Sequence, residues 1–123
     1  MTVNEYRKLW VDALRSGAYK QCRNNLFEDG KYCAQGVGAE VFYQLGVKEM
    51  RKDEEGKFSG LYWQFWKAFC ACVNMNYTEL SMVSDMNNCG ATFDQIADWL
   101  EAQWASEQQQ VAAEKVSNVP VHV

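Results

Sequence analysis

Arg15, Lys20 and Arg23 surround Tyr19 within the nine residues Arg15-Ser16-Gly17-Ala18-Tyr19-Lys20-Gln21-Cys22-Arg23. Basic groups beside an aromatic can hold a phosphate and stack on a base. They also suit the rim of a protein interface, where Tyr and Arg are enriched. The plainer reading is a helix cap followed by a solvated loop. A second set is the aromatic block Tyr62, Trp63, Phe65, Trp66 and Phe69. Its first reading is core. With one edge exposed, Trp63 and Trp66 would instead make an anchor for a partner protein. A third is the stripe Asp94, Asp98 and Glu101, at i, i+4 and i+7 of a helical segment. It could meet a divalent cation or a basic partner, although a solvated face explains it as well, with Asp94 favoured near a helix start.

Other chemistries lack their parts. Structural zinc needs four Cys or His ligands in paired spacings. Cys70-Ala71-Cys72 is the one close pair, and residues two apart on a helix point to nearly opposite sides. The single histidine, His122, lies next to the end of the sequence and is a poor general base for a Cys or Ser nucleophile. Gly36-Val37-Gly38 lacks the third glycine and the preceding strand of a dinucleotide fingerprint. The expectation is therefore no catalytic residue, no metal and no cofactor, hence a protein that is not an enzyme.

The elements that would position these groups read mostly as helices. There is one proline, Pro120, so few breaks are obligatory. Thr2 and Glu5 fit a capping box before the stripe Val3, Tyr6, Trp10, Ala13 and Leu14, which predicts a helix over 3–16 closed by Gly17. Residues 18–32 contain Asp29-Gly30, a hairpin dipeptide, so a short β-hairpin over 26–32 competes with a loop. Ala34, Val37, Val41 and Leu45 predict a helix over 32–45. Gly36 and Gly38 weaken it by about 1 kcal/mol each relative to Ala, so their use is steric: they let another element come close. Residues 47–60 carry eight charges, four of each sign, and read as an exposed connector. Residues 61–73 are apolar on nearly every side, which predicts a central buried helix. Asn76 with Glu79 starts a short helix that stops near 87–90, and Thr92 with Gln95 starts the last, over 93 to about 113. The tail from Val116 is expected to fray. The fold class is thus mainly α: one helical domain over 1–115 with about five helices and a possible hairpin within 18–32.

Composition narrows the partners. The 123 residues are 48% hydrophobic with net charge −4 and pI near 5.0. Such a chain can bury a core without staples. An acidic domain repels phosphate backbones and anionic lipid, so nucleic acid and membrane are disfavoured. No stretch nears the roughly 20 apolar residues of a membrane span, and no signal-like run opens the sequence. Five cysteines, an odd count, suit free thiols in a cytoplasmic setting.

Two segments carry a resemblance. Residues 9–37, LWVDALRSGAYKQCRNNLFEDGKYCAQGV, and residues 80–101, LSMVSDMNNCGATFDQIADWLE, are similar in order to the opening and closing motifs of small uncharacterised bacteriophage and prophage proteins. Together they span roughly 50 of 123 residues. Ala13-Leu14-Arg15-Ser16-Gly17, Tyr19, Gln21, Tyr32-Cys33, Gly36-Val37, Phe93 and Ile96-Ala97 fit that pattern. Cys22 replaces a glycine, Ala34-Gln35 a Cys-Leu, and Ser84-Asp85 an Asn-Asp. The resemblance implies a phage-encoded protein in a host cytoplasm and supplies no mechanism. The expected function is binding and modulation of a host or phage protein. The alternatives are a nucleotide or nucleic-acid module using Arg15, Tyr19, Lys20 and Arg23, and a minor virion or assembly component.

Overall fold

The computed structural model of the protein describes the backbone of residues 1–59 and 63–117 and the side chains of 1–58 and 63–107. The expectations for Tyr62, His122 and the tail beyond 117 lie outside the described residues.

Helix α1 (Val3–Arg15) opens where the Thr2 hydroxyl oxygen accepts the Glu5 N–H at 3.2 Å. The reciprocal half of the box is different from the expected one: the Thr2 hydroxyl donates to the Glu5 carboxylate. Gly17 closes the helix at φ 75°, a conformation glycine adopts without cost. The hairpin reading of 18–32 is the one that forms. Strand β1 (Phe27–Glu28) pairs antiparallel with β2 (Lys31–Tyr32), and Asp29 and Gly30 both take the positive φ of a tight two-residue turn. The preceding segment joins it, with Cys22 N–H donating to the Tyr32 carbonyl at 2.9 Å.

Tyr32 therefore belongs to a strand, and helix α2 (Ala34–Gln44) begins two residues later than its apolar stripe suggested. Cys33 is its cap, with the thiol sulfur accepting the Gly36 N–H at 3.3 Å. The steric role of the two glycines is realised. A Cβ on Gly36 would overlap the Leu26 backbone carbonyl, and one on Gly38 would lie 2.6 Å from the Phe69 ring and 3.0 Å from the Trp10 indole nitrogen.

The charged connector is not merely exposed. It holds a second antiparallel hairpin, β3 (Arg51–Lys52) with β4 (Phe58–Ser59). Met50 and Phe58 are buried and fasten it to the core. Lys52 reaches back to α2, 2.5 Å from the Glu40 carboxylate and 4.5 Å from the centre of the Tyr43 ring.

Helix α3 (Trp63–Val73) is less central than its composition implied. Phe65, Phe69 and Val73, at i, i+4 and i+8, are buried, while Trp63 is 62% exposed and Trp66 half-buried. The central element is α1, which packs on α2, α3 and α5 (Phe93–Ser117). The reason is shape: Trp10 fills the middle of the core, meeting Phe69 edge-on at 5.1 Å, and its indole N–H donates to the Ala34 carbonyl at 2.9 Å. Helix α4 (Tyr77–Asn88) starts with a complete capping box between Asn76 and Glu79. Thr92 and Gln95 form the same reciprocal pair at the head of α5, at 3.1 and 2.9 Å.

Arg7 ties the two ends of the chain to the middle. Its Nε donates to the Val73 carbonyl at 2.8 Å, and its Nη2 donates to the Asn74 carbonyl at 3.3 Å and to Glu107 at 3.0 Å. Its guanidinium lies 4.7 Å above the Trp104 ring. A buried cation at the C-terminal end of α3 meets the negative pole of that helix, so its charge is compensated by carbonyls as well as by Glu107.

Candidate functional site

The four cationic and aromatic residues around position 19 do not converge. Arg15 turns toward α5, where Asp98 lies at 2.8 Å and Glu101 pairs with the same Nη2. Two members of the acidic stripe are thus joined to a cation of this chain. Tyr19 packs edge-on against Tyr32 at 5.1 Å. Arg23 donates to the backbone carbonyl of Asn87 at the far end of α4. Lys20 is exposed. A groove of about 560 Å³ between α1 and α5 is lined by Arg7, Lys8 and Arg15 but also by Asp12 and Glu101, so its charges offset one another.

A different concavity has a more selective lining. It is a cleft of about 340 Å³ between the 24–26 loop, the start of α2, α3 and α4, and every side chain that lines it is uncharged. The periodicity of α4 explains how it faces two ways. Val83 and Asn87 face the core, Tyr77, Ser81, Ser84 and Asn88, at i, i+4, i+7 and i+11, line the cleft, and buried Leu80 borders it. Trp66 supplies an aromatic wall. Its ring is held by Phe65 at 4.9 Å and Phe69 at 6.3 Å.

The cleft is anchored by one buried amide. Asn87 is fully buried, and its Oδ1 accepts from Gln21 Nε2 at 2.8 Å and from Ala34 N–H at 3.1 Å. Its Nδ2 donates to the Cys22 carbonyl at 2.9 Å and to Asn88 Oδ1 at 3.3 Å. One side chain therefore joins α4, the cap of α2 and the loop after Gly17. The same network orients the lining. Asn88 Oδ1 also accepts the Asn24 N–H at 2.8 Å, and Asn25 Nδ2 donates to Glu28 at 2.9 Å. Among the described residues, the Asn88 Nδ2 donor and the Asn25 Oδ1 acceptor have no protein partner. The sequence pattern pointed at none of this, because the 24–25 asparagines and the α4 stripe look like ordinary turn and surface residues until they face each other.

Cys33 also lines the cleft, but burial pushes its thiol up to about 11, against weaker opposing hydrogen bonds from the Gly36 and Gln35 backbone. The thiolate is the nucleophile, so this sulfur is inert near neutral pH. All five cysteines are free. Iodoacetamide at pH 8 is expected to label exposed Cys89 first and to leave Cys22 and Cys33 unmodified until the protein unfolds, as read by peptide mass spectrometry. Rapid labelling of Cys33 in the folded state would contradict the burial that sets its acidity.

The first hairpin, α2 and the start of α3 fall within a family match. The chain belongs to the family described as Domain of unknown function (DUF8296). The match covers residues 2–68, just over half of the 123 residues. In this DUF8296 member the matched part contributes the 24–26 loop, the Cys33 cap and Trp66 to the cleft, and α4 closes it from outside the match. No curated protein and no solved structure matches the chain.

Proposed function

We propose that the protein is a non-enzymatic binding module that docks a partner protein on the α3–α4 face, with Trp63 as the anchor. The observation that carries this reading is the exposure of Trp63, at 62%, on a helix that buries its Phe65, Phe69 and Val73 side. An indole left in water gives up hydrophobic contact that a partner could restore, and Trp is among the residue types enriched at interface hot spots. Lys67 lies 5.2 Å from its ring centre and steadies it. Tyr77, 54% exposed, adds a second aromatic on the neighbouring helix. The resemblance to small bacteriophage proteins makes a host protein in the cytoplasm the partner class. Binding of nucleotides through residues 15–23 is the weaker reading, since Arg15 and Arg23 already have protein partners.

Affinity capture with the wild type and with Trp63→Glu, compared side by side, tests the proposal. The variant is expected to fold normally, because an exposed position tolerates change within about 0.5 kcal/mol. It should lose the specific partner, with affinity falling by about 30-fold or more, as for a hot-spot residue. Equal recovery by the two proteins, or no stoichiometric partner for the wild type, would overturn it.

A further inference from the structure

The uncharged cleft carries a second reading that does not use Trp63, although Tyr77 borders both surfaces. We infer that it binds a neutral planar ring with hydrogen-bond donors and acceptors along its edge, the class represented by the base of a nucleoside, with any phosphate left outside.

Four observations lead there. The volume, about 340 Å³, lies at the lower end of the range for small-molecule sites. The lining has amides, hydroxyls, two leucines, one indole and one thiol, and no ionised group. An anion or cation entering it would lose hydration without gaining a counter-charge. A neutral polar ring pays much less and can replace its water contacts by hydrogen bonds. Next, the lining offers both a donor and an acceptor whose orientation is set from behind. Asn88 cannot rotate its amide without losing the Asn24 and Asn87 N–H donors to its oxygen. Asn25 cannot rotate without losing its bond to Glu28. Asn25 and Asn88 are exposed, so a ring edge that pairs them takes the place of water on groups already held in orientation. The Ser81 and Ser84 hydroxyls, which rotate, can serve either role. Last, the half-buried Trp66 presents an aromatic wall braced by Phe65 and Phe69, against which a flat ring can stack.

This site is distinct from the phosphate reading of Arg15, Tyr19, Lys20 and Arg23, and the two make opposite demands. A phosphate site weakens steeply with salt. The cleft should bind a nucleoside as well as its 5′-monophosphate, and equally at low and at moderate salt.

The test is saturation-transfer NMR and calorimetry on the full chain with adenosine, guanosine, cytidine and uridine, with ribose as the control. At least one nucleoside should bind saturably with signal on the base protons, and ribose should not. Asn88→Asp is the informative variant. It keeps an oxygen for Asn24 and Asn87 and replaces the Nδ2 donor by an acceptor, so the fold persists while affinity falls about tenfold, the value of one lost hydrogen bond. Ser81→Phe, which fills the cleft from a solvent-facing position, should abolish binding. Trp63 does not line the cleft, so Trp63→Glu should leave binding unchanged, which separates the cleft from the Trp63 anchor. The inference is overturned if no nucleoside binds at millimolar concentration. It is also overturned if only phosphorylated ligands bind and salt removes them, or if Asn88→Asp and Ser81→Phe, both folded, bind as the wild type does.

Discussion

Asn87→Leu is expected to lower the unfolding free energy by about 3–5 kcal/mol, because it removes the partners of several buried groups at once. Leucine keeps most of the volume, so the cost is polar. The Ala34 N–H and the Cys22 carbonyl lose their Asn87 partner, and Gln21 keeps only its 2.8 Å bond to the Ala91 carbonyl. Each buried group left without a partner costs about 1–3 kcal/mol. The loss should appear in urea titrations as a lower midpoint at unchanged slope. It should be accompanied by faster amide exchange at Ala34 and through residues 21–25. A change below 1 kcal/mol would mean that water satisfies these groups and that Asn87 is not the anchor described above.

Gly36→Ala should destabilise by about 2–3 kcal/mol or more, against the usual sign for this exchange. In an open helix, alanine is better than glycine by about 1 kcal/mol. Here the new methyl would occupy the space of the Leu26 carbonyl oxygen, which also accepts the Cys33 N–H at 3.2 Å. Backbone cannot swing aside as a side-chain tip can, so either α2 or the 24–26 loop must move. The cleft should deform with it, and Cys33 should become easier to alkylate. Thermal melts of the variant beside the wild type check the first point, and thiol labelling checks the second. An unchanged or raised melting temperature would show that the loop yields freely.

Much of the helical frame was legible because it rests on local rules. Thr2, Asn76 and Thr92 all cap helices where their spacing to Glu5, Glu79 and Gln95 said they would. Asp29-Gly30 marked the first turn correctly. The second hairpin was hidden because its apolar contacts, Met50 and Phe58, are isolated among charges and carry no period. The apolar run at 61–73 misled for the opposite reason. Composition reports how much surface a helix could bury and says nothing about how many neighbours surround it, and α3 has the core on one side only. The candidate site was the least legible part. Trp66 was singled out, yet Asn25, Ser81, Ser84 and Asn88 become a lining only through a fold that brings residue 25 and residue 88 together. Arg15 and Arg23 looked available in sequence, and their long-range partners were invisible there.

Arg7 has a consequence for how the chain comes to be folded. It bonds to carbonyls 66 and 67 positions later and to Glu107, a full 100 positions later. Synthesis at about 5–20 residues per second separates Arg7 from Glu107 by roughly 5–20 s. During that interval α1, the helix on which the other layers rest, lacks a complete α5, and for its first part α3 as well. Trp10 and Leu14 then have α2 as their available helical neighbour and are only partly covered. Closing a contact across nearly the whole chain is a late and slow event, so refolding should lag behind that of helical bundles built from neighbouring hairpins.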